Sequence, residues 1–106
     1  MISTFLSMLD KGNDNALVRY SLGNAYFGEN NYQLAAEHLQ KAVEHDSNYS
    51  AAWKILGRSF FELKQFKKAL EIYNRGIEVA SAQGDKQAEK EMLVFQRRCE
   101  RALDKG

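Results

Sequence analysis

Two consecutive stretches decide the fold: Ala16–Tyr49, ALVRYSLGNAYFGENNYQLAAEHLQKAVEHDSNY, and Ser50–Gln83, SAAWKILGRSFFELKQFKKALEIYNRGIEVASAQ. Laid over each other at an offset of 34 residues, they place Leu22 on Leu56, Gly23 on Gly57, Phe27 on Phe61, Ala35 on Ala69, Glu37 on Glu71 and Glu44 on Glu78. Tyr26 meets Phe60, Tyr32 meets Phe66, Lys41 meets Arg75 and Val43 meets Ile77, with character and size kept. A fixed period of this length marks one supersecondary unit present twice.

Each unit divides into two helices. In the first, Arg19, Leu22, Gly23 and Tyr26 recur at helical spacing, as do Tyr32, Ala35, Ala36, Leu39, Ala42 and Val43. Between them Asn30 and Asn31 tolerate left-handed backbone and can cap the following helix. In the second unit Trp53, Leu56, Gly57 and Phe60 form one stripe, and Phe66, Ala69, Leu70, Tyr73, Gly76 and Ile77 the other. The connections Lys11–Asn15 and Asp46–Ser50 are rich in Asn, Asp and Ser, which start helices. Gly23 with Ala35, and Gly57 with Ala69, are expected where two antiparallel helices cross closely. A tight backbone contact is likewise expected at Gly76, which costs about 1 kcal/mol of helix propensity against alanine.

These residues resemble the tetratricopeptide repeats. In that family helix A carries an aromatic, Leu-Gly and a second aromatic, and helix B an alanine, an aromatic or leucine, and a further alanine. Trp53, Leu56, Gly57, Phe60, Ala69, Tyr73 and Gly76 match in the second unit; Leu22, Gly23, Tyr26, Ala35, Leu39 and Ala42 match in the first. Arg19 stands in place of the first aromatic, Gly76 in place of alanine, and Ser47 and Ser81 in place of a common proline. The resemblance covers residues 16–83 and implies an all-α superhelix, a solenoid of stacked antiparallel helix pairs.

Residues 1–106 form one expected domain: an N-terminal helix over 1–11, repeats at 16–49 and 50–83, and a C-terminal capping helix over 85–104, six helices in all. Ile2, Phe5, Leu6 and Leu9 make an apolar stripe like the second helix of a truncated preceding repeat. Gly84-Asp85 signals a helix stop and a new cap, followed by the stripe Ala88, Met92, Phe95, Cys99 and Leu103. These terminal helices are expected to cover the solenoid ends, which predicts a monomer.

Composition narrows function. The chain has 44% hydrophobic and 27% charged residues, no proline and a net charge of +1, so it is a folded helical protein without a bulk signal for nucleic acid or an anionic membrane. The basic run Arg97, Arg98 and Arg101 is interrupted by Glu100 and Asp104. No apolar run approaches the roughly 20 residues that span a bilayer. The apolar Met1–Leu9 lacks the basic start and small-residue cleavage site of a signal peptide. A cytoplasmic location is expected.

No catalytic set, metal site or cofactor motif emerges. His38 and His45 fall on one predicted helix roughly 10 Å apart, too far to share a metal, and are expected as solvated surface residues. Cys99 lies on an apolar stripe, where a thiol acts as a small hydrophobe. Seven glycines occur, but none forms a phosphate-cradling loop.

What remains is the groove. In a curved stack the first helices of successive pairs line the concave side. Off their core stripes fall Tyr20, Asn24 and Phe27, and then Lys54, Arg58 and Phe61. Two cations beside aromatics suit an acidic or carboxylate-terminated peptide. The competing roles are plain packing for Phe27 and Phe61, and solvation for Lys54 and Arg58. One branch of the resembled family grips chaperone C-termini with Lys and Asn, then Asn, then Lys and Arg. Here Asn24 matches, while Tyr20 and Ile55 do not; the last two positions fall on Asp85 and Glu89, or on Lys86 and Lys90 after a one-residue shift. So incomplete a clamp argues against chaperone-tail binding. The expected function is non-enzymatic protein–protein interaction through the groove, with self-assembly through the terminal helices as the alternative and an unrecognised enzyme as a remote one.

Overall fold

Three of the helices begin at a side chain that satisfies a free backbone N–H group. The computed structural model describes residues 1–105, which form α1 (Ile2–Asp10), α2 (Ala16–Gly28), α3 (Tyr32–His45), α4 (Ser50–Glu62), α5 (Phe66–Gln83) and α6 (Lys86–Lys105). Asn15 accepts a hydrogen bond from the Val18 N–H and Asn31 one from Leu34, capping α2 and α3. Asp85 caps α6 by accepting from the Ala88 N–H, after Gly84 has closed α5 in the left-handed conformation. At both intra-repeat turns a left-handed residue reverses the chain, Asn30 and its counterpart Lys64, each at φ 62°. The Asp46–Ser50 connection departs from expectation: none of its Asn, Asp or Ser side chains caps α4. Asp46 instead folds the turn by accepting from the Asn48 N–H, and Ser50 donates to Asp85. The Trp53 indole N–H donates to the Ser47 carbonyl at 2.8 Å, bracing this turn without a proline.

The glycines mark the helix crossings, though their partners are large rather than small. Leu39 fills the space above Gly23, and Tyr73 that above Gly57. Gly76 faces the Met92 sulfur and the Trp53 Cβ, which joins α4, α5 and α6 at one point. Tyr73, Leu22, Leu39, Leu56 and Met92 are wholly buried, the leucines and Met92 each contributing about 1.5–3 kcal/mol of apolar burial. Cys99 lies in the same core.

Curvature follows from which helices touch. α2 packs on α4 and α4 on α6, whereas the backbones of α3 and α5 stand further apart. The first helices therefore line the concave side. At the C-terminal end α6 covers the core with Ala88, Met92 and Cys99. At the N-terminal end the cover is thinner. α1 packs on α2 with Ile2, Phe5, Met8 and Leu9 half-buried, while Leu6 and, in α2, Leu17 stay exposed, because among the described residues no element stands outside α1.

Candidate functional site

The concave face holds a cavity of about 220 Å³ lined by Phe27 of α2, Lys54, Ile55 and Arg58 of α4, Tyr73 of α5, and Glu91 and Phe95 of α6. Its walls are aromatic. Arg58 lies over the Phe95 ring at 4.5 Å and more loosely over Phe27 at 5.9 Å, geometry that holds a guanidinium by cation–π attraction. The Tyr73 ring stacks on Phe95 with centroids 6.1 Å apart.

Both groove cations are paired. Lys54 Nζ sits 2.8 Å from Glu91 Oε2, and Arg58 Nε 3.0 Å from Glu62 Oε2. Hydrogen bonding from Lys54 holds the Glu91 carboxyl below the usual carboxylate range. Tyr73 is 1% exposed, and its hydroxyl has no hydrogen-bond partner among the described residues. Burial pushes its pKa upward, so it remains a neutral donor.

Of the residues expected in the groove, Phe27, Lys54 and Arg58 line the cavity together. Tyr20 stacks on Tyr49 at 4.8 Å, and Asn24 is exposed without a side-chain partner among the described residues. Phe61 is a packing residue, edge-on to Phe66 and Phe95 at 5.4 and 5.1 Å. Lys86 and Lys90 are exposed and do not line the cavity. The clamp alignment pointed to them, yet Glu91 and Phe95 take the α6 side of the groove. Their spacing of four residues repeats that of Lys54 and Arg58, the one sequence signal that could have found them.

The histidines are not merely solvated. Arg19 binds both carboxylate oxygens of Asp14, at 2.7 and 2.9 Å, and its Nη1 lies 3.1 Å from His38 Nδ1. His45 Nε2 lies 3.0 Å from Asp14 Oδ1, and His38 stacks on Tyr26. Arg19, the departure from the aromatic pattern, thus ties the α1–α2 connection to α3. Burial and the neighbouring Arg19 charge lower the His38 pKa.

Comparison with known proteins places this geometry. A tetratricopeptide repeat model matches residues 20–86. A TPR repeat-containing protein of Pseudomonas aeruginosa is 46% identical over 102 residues, covering 96% of this chain and 97% of its own. A heat-shock protein cognate co-chaperone of Aspergillus fumigatus is 32% identical over 78 residues, 74% of this chain and 23% of that protein. A solution structure from Bordetella parapertussis superposes with a TM-score of 0.81 at 35% identity, covering 95% of this chain and 88% of the other.

Proposed function

The chain belongs to the tetratricopeptide repeat family, and from that premise we propose that it is a non-enzymatic, cytoplasmic interaction module that holds an extended partner segment in its concave groove. The segment is acidic or carboxylate-bearing, and Lys54 and Arg58 are its anchors, with Phe27 and Phe95 gripping the adjoining apolar side chain. The observation that carries this is the cavity itself, where two cations and two aromatic walls from α2, α4 and α6 converge. The likeness to a co-chaperone supports a protein partner. It does not extend to a chaperone tail, because Tyr20 and Ile55 occupy clamp positions and Lys86 and Lys90 lie outside the cavity.

Catalysis has no place in this proposal. Burial raises the Cys99 thiol pKa, the reverse of an activated nucleophile. Partner capture on the immobilised protein, followed by NMR mapping of the bound segment, is the test. Signals of Phe27, Ile55 and Phe95 should move. Shifts confined to the opposite face around Phe60 and Lys68 would contradict the groove assignment.

Self-assembly through the terminal helices is the second possibility, favoured by one observation: no residue of α1 is fully buried, and Leu6 of α1 and Leu17 of α2 are exposed at 38% and 64%. Sedimentation decides. A monomer at micromolar concentration supports the interaction module, and a tight dimer that Leu6→Asp dissolves supports self-assembly.

A further inference from the structure

We infer that Glu91 and Glu62 occupy the groove's two cations as internal stand-ins for an acidic side chain of the partner, and that Glu91 sets how tightly such a side chain is held. The inference rests on the groove function proposed above and adds the chemistry of the anchor and a residue that regulates it.

Donors outnumber acceptors in this cavity. Lys54 brings an ammonium, Arg58 a guanidinium with only Nε committed to Glu62, and Tyr73 a buried hydroxyl with no partner among the described residues. A buried hydroxyl left without an acceptor calls for one. The acceptors facing the two cations are the side chains of Glu62 and Glu91, and both pairs are partly exposed. Such pairs contribute little to stability and exchange readily. An incoming carboxylate can therefore replace Glu91 on Lys54 without a buried charge being stranded.

The occupant's shape follows from the walls. At about 220 Å³ the cavity is smaller than the roughly 300–1,000 Å³ of small-molecule sites, so it suits a side chain rather than a cofactor. Phe27, Ile55 and Phe95 require apolar surface next to the charge. The present occupants of the cations are glutamate side chains, and they give the pattern: a partner glutamate or aspartate beside an apolar residue, within a chain rather than at its end.

Three blocked or free peptides probe this by NMR titration, read at the Ile55 methyl groups of the full chain. They are acetyl-Phe-Glu-Phe-amide, acetyl-Phe-Gln-Phe-amide, and acetyl-Phe-Phe with a free C-terminal carboxylate. Glu91→Gln should bind the glutamate peptide roughly two- to five-fold more tightly than the unaltered protein, with the glutamine peptide unchanged. Glu91→Ala should act alike, and circular dichroism checks that both variants stay folded. Tyr73→Phe should weaken the glutamate peptide. Unchanged affinity in both Glu91 variants, or equal tightening of the glutamate and glutamine peptides, overturns the inference while leaving groove binding intact. Preference for the free C-terminal carboxylate also overturns it, since that places the anchor at a chain end. If no peptide moves Ile55 in any variant, the groove function and this inference fail together.

Discussion

The Tyr73 ring of α5 lies across Gly57 of α4 so closely that an added Cβ would stand 2.5 Å from Cε1 and 2.8 Å from Cζ. The ring cannot yield easily, because it is wholly buried and stacked with Phe95. One pair of residues thus fixes the helix crossing and the floor of the groove.

Gly57→Leu should destabilise the protein by about 1–3 kcal/mol or more through overpacking, a fall in Tm of roughly 4–8 °C per kcal/mol for a domain of this size. Gly28→Ala is the control: nothing lies within 4 Å of its added Cβ, so stability should hold or rise slightly. Thermal melts followed by circular dichroism separate the two. Equal melting of Gly57→Leu and wild type would mean the crossing is misplaced.

Tyr73→Phe should leave stability unchanged or raise it. The lost hydroxyl has no partner among the described residues, and removing an unsatisfied buried donor relieves a desolvation cost of about 1–3 kcal/mol. Urea unfolding measures this. A clear loss of stability would show that the hydroxyl is satisfied in solution.

The repeat was legible because its physical causes recur. A glycine is needed wherever a large side chain crosses a helix backbone, so the offset that aligned Gly23 with Gly57 also located the crossings. The groove was only half legible. Lys54 and Arg58 stand in a complete repeat, whose second helix fixes their direction. α6 has no following helix among the described residues, and extending the period to it led to Asp85 and Glu89, or to Lys86 and Lys90 after a one-residue shift, whereas Glu91 and Phe95 line the cavity. Polar contacts between elements, such as those of Arg19 with Asp14 and His38, leave no periodic trace in sequence.

Acid should weaken the α1–α2 connection. Hydrogen bonding from Arg19 holds the Asp14 carboxyl well below the usual carboxylate range. A depressed folded pKa means its stabilising effect is present above an unfolded value of about 3.9 and fades as pH falls toward the folded one. His38 acts in the same direction at higher pH. Its folded pKa lies below about 6.5, so neutral His38 favours the fold above that value, and stability is lost as pH falls through the folded pKa. NMR titration should find His38 below its ordinary value and moved upward in Arg19→Gln. A His38 midpoint unchanged by Arg19→Gln would remove the guanidinium as a cause.

Groove binding is tested most directly by the affinity of a captured partner segment for wild type and for the Lys54→Ala, Arg58→Ala double variant. A hydrogen bond to a charged group contributes roughly 1.5–3 kcal/mol, so loss of both anchors should weaken binding about 100-fold or more if the contributions add. Binding to wild type should also weaken as salt rises to physiological strength, because the anchors are partly exposed. Unchanged affinity in a double variant that circular dichroism shows to be folded would contradict the groove as the binding site.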